Sequence, residues 1–334
     1  MRKIVIPAAG SYERLLVEEH PTPVPAPGEV LVAVEAAGIN YADVLIRMGL
    51  YASAKVYVGW PITPGFEFAG NVLALGAGVT GFRIGDPVFG VTRFGAYAEE
   101  LVVSQEQLFP RPERLTAVQA AALPTVYLTA HYALRELVHP RPGQDLLVHS
   151  AAGGVGGMLV QLGKALGCRV VGVVGASHKV DSAYELGADV VIDKRRQDLW
   201  ISAHQASCDG YHAVFDANGA ETLRGSYRQL RPTGKLVIYG FHTMLPRAGG
   251  RPQWLKLARD YLRTPRFNPL DLTNDNKSVL AFNLSYLFEE RALLHEGIAE
   301  LLAHFDSHTL KVPPITSYAL EDVAQAHRDL ESAQ

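Results

Sequence analysis

The chain has 334 residues, of which 48% are hydrophobic and 19% are charged, and its net charge is −3 at pH 7. Such a chain can bury the cores of two globular domains, and its mildly acidic balance excludes the strongly basic surface that nucleic-acid binding normally requires. Two cysteines, Cys168 and Cys208, are too few for a disulfide framework or a four-cysteine zinc site. No stretch approaches about 18 uninterrupted apolar residues. We therefore expect a cytoplasmic protein without a signal peptide, a membrane span or a nucleic-acid partner.

The first third of the chain is rich in glycine and proline and carries short β-branched runs, at 29–35, 71–75 and 99–103. Frequent turns between short strands predict a compact, partly barrel-like β domain.

From about Thr116 the pattern changes to alternating strands and helices. Strands are predicted at 145–149, 169–174, 189–192, 212–216 and 234–239, with a sixth at 278–284. This alternation is typical of α/β chains with a doubly wound parallel sheet. Helices predicted at 289–305 and 321–332 are expected to pack back on the first domain. We place the β-rich domain at 1–122 and 286–334, and the parallel-sheet domain at 123–285.

A glycine-rich turn, Ser-Ala-Ala-Gly-Gly-Val-Gly at 150–156, follows the first of these parallel strands. A strand, a glycine turn and a helix start can bind a pyrophosphate, because Gly153 lets the backbone approach the phosphates and Gly156 lets helix and strand pack closely. Ala151 stands where the usual Gly-x-Gly-x-x-Gly pattern begins, so a merely structural turn is the alternative. The strand at 169–174 has the spacing of a βαβ unit, which favours a dinucleotide.

The residues after the second parallel strand indicate which dinucleotide binds. Proteins that prefer NAD usually carry an acid about 20 residues past the glycines, and this chain has no Asp or Glu from Met158 through Val180. Ser177 and Lys179 instead supply a hydroxyl and an ammonium where a 2′-phosphate would lie, so NADPH is favoured over NADH. The alternative is that Lys179 only begins the next helix. Lys194, after the third strand, is a second candidate for the phosphate.

Four stretches together resemble the medium-chain dehydrogenase/reductase superfamily over nearly the whole chain: residues 38–43 with 47–51, 64–70, 76–86 and the glycine turn. Within it the chain resembles the quinone oxidoreductases, in which the turn usually reads Ala-Ala-Gly-Gly-Val-Gly. A finer similarity, to the vesicle amine transport protein homologues, lies in residues 226–235, 239–241, 257–259 and 276–287. The resemblance implies a GroES-like catalytic domain joined to a Rossmann domain. It also implies a Gly-Lys-x-x-Leu strand after the last helix, a motif that this sequence does not show there.

In zinc-dependent relatives three positions hold the catalytic metal, and the matching positions here read Asn40, Phe66 and Thr125. An amide, a phenyl ring and a hydroxyl cannot replace thiolate and imidazole ligands, so we predict no zinc. Three histidines near the expected cofactor domain share no ligand spacing, and packing or surface roles are expected for them: His149, His178 and His242. Without a Lewis acid the substrate should already be electrophilic, as a quinone is. A conjugated enone or alkenal is the alternative acceptor.

On this resemblance we expect Asn40, Tyr41 and Asp43 beside the nicotinamide and the acceptor. Tyr51 would form a ring-stacking or proton-donating wall, and Thr129 would orient the cofactor. The alternative for Asn40 and Asp43 is that they only cap the helix that begins near Tyr41.

Further cofactor contacts are implied for four short segments. They comprise the glycine turn (Ala152, Gly153, Gly154, Val155, Gly156) and the pairs Asn218 and Gly219, Tyr239 and Gly240, and Phe282 and Asn283. In this superfamily the last strand of the cofactor sheet commonly pairs across a dimer axis. We therefore expect a homodimer built around 278–284, unless that edge is covered internally.

One segment does not follow from cofactor binding. Between 247 and 266 the chain carries six basic residues against one acid, Asp260, interleaved with apolar and aromatic residues; the basic ones are Arg247, Arg251, Lys256, Arg259, Arg263 and Arg266. This pattern predicts a basic amphipathic helix. Either it is a solvated helix packed on the domain, or it contacts an anionic lipid surface or a partner. In the second case the chain is chiefly a membrane-peripheral binding protein that retains a cofactor fold.

Overall fold

The computed structural model describes residues 1–246 and 249–332, and its N-terminal part is β-rich. A two-stranded antiparallel sheet pairs β1 (Arg2–Val5) with β2 (Leu16–Glu19). A five-stranded antiparallel sheet contains β3 (Glu29–Ala37), β4 (Glu67–Leu75), β5 (Pro87–Val91), β6 (Glu100–Ser104) and β7 (Leu108–Pro110). Their spatial order is β6-β3-β4-β5-β7.

Alternating apolar residues give this sheet its core. Val30 and Val32 of β3 pack with Phe68 of β4 and Val88 of β5, and all four side chains are fully buried. The β domain predicted from the sequence is therefore confirmed. Three short helices lie between and after these strands: α1 (Tyr41–Arg47), α2 (Ala52–Tyr57) and α3 (Ala117–Ala121).

The second part of the chain is built on a six-stranded parallel sheet. Its strands are β8 (Asp145–His149), β9 (Arg169–Val174), β10 (Val190–Asp193), β11 (Tyr211–Asp216), β12 (Leu230–Ile238) and β13 (Ser278–Ala281). They lie in the order β10-β9-β8-β11-β12-β13. The predicted doubly wound sheet is thus confirmed, and its strand order reverses between β8 and β11. In open α/β sheets the crevice at such a point, outside the carboxyl ends of the strands, is where ligands bind.

Helices cover both faces of this sheet. Leu146 and Leu147 are both fully buried although they are adjacent in β8, because each belongs to the core on a different face. Helix α4 (Pro124–His131) continues as a π-helical segment, Tyr132–Val138. The other helices are α5 (Gly154–Ala165), α6 (Val180–Glu185), α7 (Leu199–Ala206), α8 (Leu223–Arg228), α9 (Trp254–Arg263), α10 (Pro269–Asp275), α11 (Arg291–Asp306) and α12 (Val323–Ser332).

The last helix links the two ends of the chain. Helix α12 contacts α1 and the turn at Tyr12–Arg14. Arg47 of α1 donates from Nη2 to Glu331 Oε1 of α12 at 2.5 Å, and neither side chain is exposed to solvent. This buried ion pair fixes the C-terminal helix against the helix that carries Asn40 at its start.

Two boundaries of the parallel sheet differ from the prediction by three or four residues, and its other boundaries differ by one residue at most. The sixth parallel strand ends at Ala281 rather than 284, because Asn283 Oδ1 accepts the backbone N–H of Ser285 and starts a 3-10 turn. Strand β12 begins at Leu230 rather than 234. Within the described part of the chain, no helix is both long and apolar enough to span a bilayer.

Candidate active site

The glycine turn has the geometry that phosphate binding requires. Helix α5 begins at Gly154 with Gly153 as its N-cap, and the first N–H groups of a helix have no partner within the helix. A Cβ on Gly156 would lie 2.1 Å from the Ser150 carbonyl oxygen, so only glycine allows this helix to approach the strand. A Cβ on Gly153 would meet nothing closer than 3.2 Å, and this residue is exposed. The turn therefore leaves room for a ligand at the start of α5. Contact of a pyrophosphate with the turn residues stays a prediction; these are Ala152, Gly153, Gly154, Val155 and Gly156.

Helix α4 lies against this turn. A Cβ on Gly154 would be 2.8 Å from Val126 Cγ1 of α4, so the two elements are in close contact. On the same helix, Thr129 is buried and its hydroxyl donates to the Thr125 carbonyl at 2.7 Å. The Thr129 oxygen thus remains only as an acceptor, and its contact with the cofactor stays a prediction.

The residues expected at the 2′-phosphate lie at the ends of two adjacent strands. Ser177 and Lys179 follow β9, and the Ser177 hydroxyl donates at 2.5 Å to Asp193, the last residue of β10. Asp193 also accepts the N–H of Arg195, and the Ser177 hydrogen bond is the main cause that lowers the pKa of its carboxyl. Burial, followed by the charge of Arg195, lowers the pKa of Lys179. Asp193 and Arg195 were not predicted from the sequence, because they lie at and just after the end of the next strand rather than at the expected spacing.

Asp216, at the end of β11, organises the loop that contains Asn218 and Gly219. Its carboxylate accepts the N–H of Asn218 at 2.8 Å and the hydroxyls of Thr222 and Ser226 at 2.9 and 2.7 Å. His149 Nε2 lies 2.9 Å from the Ser226 oxygen, and the imidazole is fully buried. His149 therefore has a packing and hydrogen-bonding role, as expected.

The aromatic residues expected near the nicotinamide form two contacts. The ring of Tyr41 lies 4.2 Å from that of His242, centroid to centroid, and burial lowers the pKa of His242 to about 4. The ring of Tyr239 lies 6.5 Å from that of Phe282, whose N–H donates to the Ile238 carbonyl. Because that N–H is used in the sheet, Phe282 can offer only its carbonyl to a ligand. Gly240 lies close to the backbone of Ala217, since a Cβ added to Gly240 would be 3.1 Å from the Ala217 carbonyl oxygen.

Asn40 and Asp43 occupy the start of α1, where the capping alternative placed them. Asn40 is the N-cap, and its N–H donates to Asp43 Oδ2 at 2.8 Å. Asp43 Oδ1 accepts the N–H of Gly65 at 2.9 Å, and the side chain is fully buried. Burial raises the pKa of the Asp43 carboxyl to about 7. These contacts account for Asp43 as a capping residue, and its contact with a substrate stays a prediction.

Glu67 is a buried carboxylate in the centre of this region and was not among the site residues predicted from the sequence. Its Oε1 accepts from the Asn40 amide nitrogen at 2.7 Å, and its Oε2 accepts the backbone N–H of Thr125 at 2.7 Å. The residue is 1% exposed, and burial raises its pKa to about 7. Its presence within the stretch 64–70 was the available signal, since an acid in an apolar, buried strand must have a specific partner.

Tyr51 joins the β-rich part to the loop after β13. Its hydroxyl donates to Asn283 Oδ1 at 2.9 Å, and burial raises its pKa. Its ring packs edge to face on Phe66, with 5.8 Å between centroids. The structure therefore brings together Tyr51 and Asn283, which the sequence assigned to the acceptor and the cofactor.

The three positions that would bind zinc in zinc-dependent relatives lie together. Asn40 and Thr125 both donate to Glu67, which follows Phe66 in the chain. An amide, a phenyl ring and a threonine do not fit a zinc centre. Across residues 1–246 and 249–332, no group of three or more His, Cys, Asp or Glu side chains could hold a metal ion.

The predicted basic amphipathic helix forms, but its apolar face points outward. Trp254, Leu255, Tyr261 and Leu262 of α9 are 69%, 90%, 72% and 78% exposed. On the opposite face Asp260 is buried and accepts from Lys256 at 2.6 Å. Arg247, the first basic residue of the segment, lies outside the described residues. The helix therefore packs through the side that carries Lys256, Leu257 and Asp260 and leaves its wider apolar face exposed, whereas surface helices usually bury that face.

The fold and the site agree with two family models. "Alcohol dehydrogenase GroES-like domain" matches residues 26–113, and "Zinc-binding dehydrogenase" matches residues 154–290. Together with the parallel sheet and its glycine turn, these matches define a two-part dehydrogenase fold, in which a GroES-like β domain is joined to a Rossmann domain.

Relatives of known sequence or structure narrow the family. The synaptic vesicle membrane protein VAT-1 homolog of Homo sapiens is 34% identical over 334 residues, which cover 99% of this chain and 84% of that protein. The Escherichia coli quinone oxidoreductase complexed with NADPH superposes with a TM-score of 0.86 at 30% identity, over 99% of this chain and 97% of that one. The structure of the human synaptic vesicle membrane protein VAT-1 homolog-like protein superposes with a TM-score of 0.82 at 26% identity, over 100% of this chain and 95% of that one. The chain therefore belongs to the medium-chain dehydrogenase/reductase family of oxidoreductases, in the quinone oxidoreductase group close to the VAT-1 homologues.

Proposed function

We propose that this protein is an NADPH-dependent oxidoreductase that reduces a quinone without zinc. The observation that carries the proposal is the replacement of a metal centre by the hydrogen-bonded set Asn40, Glu67 and Thr125, beside Phe66 and Tyr51. An acceptor that is already electrophilic needs no Lewis acid. The solved Escherichia coli quinone oxidoreductase holds NADPH, which supports the choice of cofactor.

The chain's own residues would bind and orient the reactants. The N–H groups at the start of α5 hold the pyrophosphate, and Lys179 and Lys194 hold the 2′-phosphate. Ser177 does not donate to this phosphate, because its hydroxyl already donates to Asp193. When bound, NADPH supplies the hydride. The amide of Asn40 donates a hydrogen bond to the acceptor. The ring of Tyr51 forms a wall of the acceptor site, because its hydroxyl already donates to Asn283 Oδ1.

Steady-state oxidation of NADPH and NADH with an ortho-quinone, a para-quinone and an enone tests this proposal. We expect the highest kcat/KM with NADPH and a quinone, and less than a stoichiometric amount of zinc in the purified protein. Higher kcat/KM with the enone would assign the protein as a double-bond reductase instead. No turnover with any acceptor, or one tightly bound zinc per chain, would contradict the proposal.

We also propose that the protein is a homodimer formed through β13. This strand pairs with β12 along one edge, and no strand within residues 1–246 and 249–332 pairs with its other edge. Exposed strand edges are ready to pair with another chain. Light scattering after size-exclusion chromatography should give twice the chain mass of 36.3 kDa. A single-chain mass at micromolar concentration would refute this assembly.

A second candidate function is supported by α9. We propose that its exposed apolar face, defined by Trp254, Leu255, Ala258, Tyr261 and Leu262, lets this cytoplasmic protein bind peripherally to an anionic membrane. Apolar residues at this spacing form one helix face, and arginines border it. A cleft of about 780 Å³ next to the helix is lined by three arginines and two acids, namely Arg224, Arg263, Arg266, Glu221 and Asp260.

Co-sedimentation with phosphatidylcholine vesicles, with and without phosphatidylserine, tests this second function. We expect binding only to the anionic vesicles, and loss of binding in the variant Leu255→Glu/Leu262→Glu. Val24→Glu is the matched control, because Val24 is 87% exposed and lies outside α9. Equal binding by the α9 variant would exclude this surface, and a dimer that buries α9 would exclude its use in membrane binding.

A further inference from the structure

The amide of Asn40 is held in one orientation by Glu67. An ionised carboxylate only accepts hydrogen bonds, so the nitrogen end of the amide faces Glu67 when that residue is ionised, and the 2.7 Å contact has this arrangement. An amide nitrogen carries two N–H groups, and the structure gives this one a single acceptor, Glu67. The second N–H is therefore available to a ligand.

The chain is built to keep Glu67 in this place. A Cβ on Gly38 would lie 2.3 Å from Glu67 Oε1 and 2.6 Å from the Ala121 carbonyl oxygen, so no side chain fits at position 38. The other carboxylate oxygen accepts the Thr125 N–H near the start of α4. Glu67 thus connects the start of α1, in the β-rich part, to the start of the helix that packs on the glycine turn.

We propose that Glu67 is a positioning residue for the reduction. It holds one N–H of Asn40 so that the second N–H points to the acceptor oxygen, and it fixes this group relative to α4. Glu67 itself does not touch the acceptor. The inference rests on the proposed quinone reduction, because the oxygen that receives the hydrogen bond belongs to that acceptor.

A double-mutant cycle on kcat tests whether Glu67 acts through Asn40. We expect Asn40→Ala to lower kcat by about 100-fold, the size found for losing one preorganised donor, and Glu67→Gln to lower it by about tenfold or more. The double variant should be no worse than Asn40→Ala alone, because the two residues supply one hydrogen bond. The KM for NADPH should stay nearly unchanged in all three variants. The control is Glu13→Gln, because Glu13 is an exposed carboxylate that pairs with Arg251, and this variant should keep the wild-type kcat.

The exchanged pair Asn40→Asp/Glu67→Gln separates positioning from a purely structural role. The carboxylate introduced at position 40 would accept from the amide nitrogen introduced at position 67. The amide oxygen at position 67 would still accept the Thr125 N–H, so the contact between the two parts is rebuilt. We expect the free energy of unfolding to recover relative to Glu67→Gln, whereas kcat stays low because the side chain at position 40 no longer has an N–H to donate. This comparison also serves if Glu67→Gln alone does not fold.

Three results would overturn the inference: losses in kcat that multiply in the double variant, wild-type kcat in a folded Glu67→Gln variant, or recovery of both stability and kcat by the exchanged pair. Failure of the proposed function is distinguishable, because it appears as no turnover by the wild-type protein before any substitution is made.

Discussion

Asp193 shows how a single residue can be missed when only its neighbours in sequence are considered. The acid-free stretch from Met158 through Val180 favours NADPH, yet the carboxylate of Asp193 accepts the hydroxyl of Ser177 from the adjacent strand. Two cations, Lys179 and Arg195, lie in the same region, since the charge of Arg195 contributes to the lowered pKa of Lys179. A 2′-phosphate would relieve the repulsion between these cations, so the preference for NADPH remains our proposal.

Lys179→Ala tests that preference. We expect the Kd for NADPH to rise by about tenfold or more, since a hydrogen bond to a charged group contributes about 1.5 to 3 kcal/mol, and the Kd for NADH to change little. Fluorescence titration of both cofactors measures the two values. The control is Arg196→Ala, because Arg196 is an exposed cation in the loop after β10. It shows how much of the effect comes from removing any nearby positive charge. Equal losses for NADPH and NADH in Lys179→Ala would show that Lys179 does not contact the 2′-phosphate.

Glu67 predicts a specific dependence of stability on pH. Its pKa is raised from 4.5 to about 7 by burial, so the folded protein keeps a proton that the unfolded chain releases in this interval. The contribution of Glu67 to the free energy of unfolding is therefore present at low pH and is lost as the pH rises to about 7. His242 and His327, whose pKa values are lowered to about 4 and about 3, act in the opposite direction.

The measurement is therefore a difference between two proteins. We expect the stability of the wild type relative to Glu67→Gln to fall by about 1 to 3 kcal/mol between pH 5 and pH 8, because one unit of pKa shift corresponds to about 1.36 kcal/mol. Chemical denaturation of both proteins at the two pH values gives this difference. If the stability difference between the two proteins does not depend on pH, the pKa of Glu67 is not raised in the folded protein.

At the scale of elements, the sequence predicts most of what the fold contains. The strands at 145–149 and 169–174 have their predicted boundaries, because both are apolar runs bounded by turn residues. The end of β13 could not be predicted, since it depends on the Asn283 side chain accepting from Ser285. Which face of α9 packs against the protein could not be predicted either. Its periodicity gives an amphipathic helix but does not say which face packs.

The glycines of the turn at 150–156 are expected to have separable roles. Gly156→Ala should lower the free energy of unfolding by about 1 to 3 kcal/mol, because its Cβ would lie 2.1 Å from the Ser150 carbonyl oxygen. Gly153→Ala should leave stability nearly unchanged and weaken NADPH binding, since the added methyl lies where the backbone approaches the phosphates. Thermal denaturation and cofactor titration of both variants decide this. Similar stability losses in the two variants would argue for a purely structural turn.

The whole molecule is closed by contacts between distant ends of the chain. Arg47 is fully buried and pairs with Glu331, while His327 Nδ1 lies 3.2 Å from Arg47 Nη1. The guanidinium carbon of Arg47 also lies 4.4 Å from the centre of the Tyr12 ring, and the Tyr12 hydroxyl donates to Glu331 at 2.7 Å. Because Asn40 is the N-cap of α1, this cluster connects the C-terminal helix to the site. The domain boundaries at 122 and 286 stay a proposal.

Glu331→Gln tests the importance of this closure. Removing one partner of a buried ion pair leaves an uncompensated charge, so we expect a loss of about 3 to 5 kcal/mol in the free energy of unfolding. His327 cannot compensate, since burial and the charge of Arg47 hold its pKa at about 3. Glu13→Gln removes an exposed partner of Arg251 and should have a much smaller effect. Equal losses in the two variants, measured by urea denaturation, would contradict the argument.

The sequence by itself determined the order of strands and helices, the glycine turn and the replacement of zinc ligands, because periodicity and residue identity are local properties. The tertiary structure decided which groups meet: Ser177 with Asp193, Glu67 with Asn40 and Thr125, and Arg47 with Glu331. It also decided that the apolar face of α9 is exposed. Burial, desolvation and hydrogen bonds between distant segments depend on how the elements pack, and no short stretch of sequence contains that information.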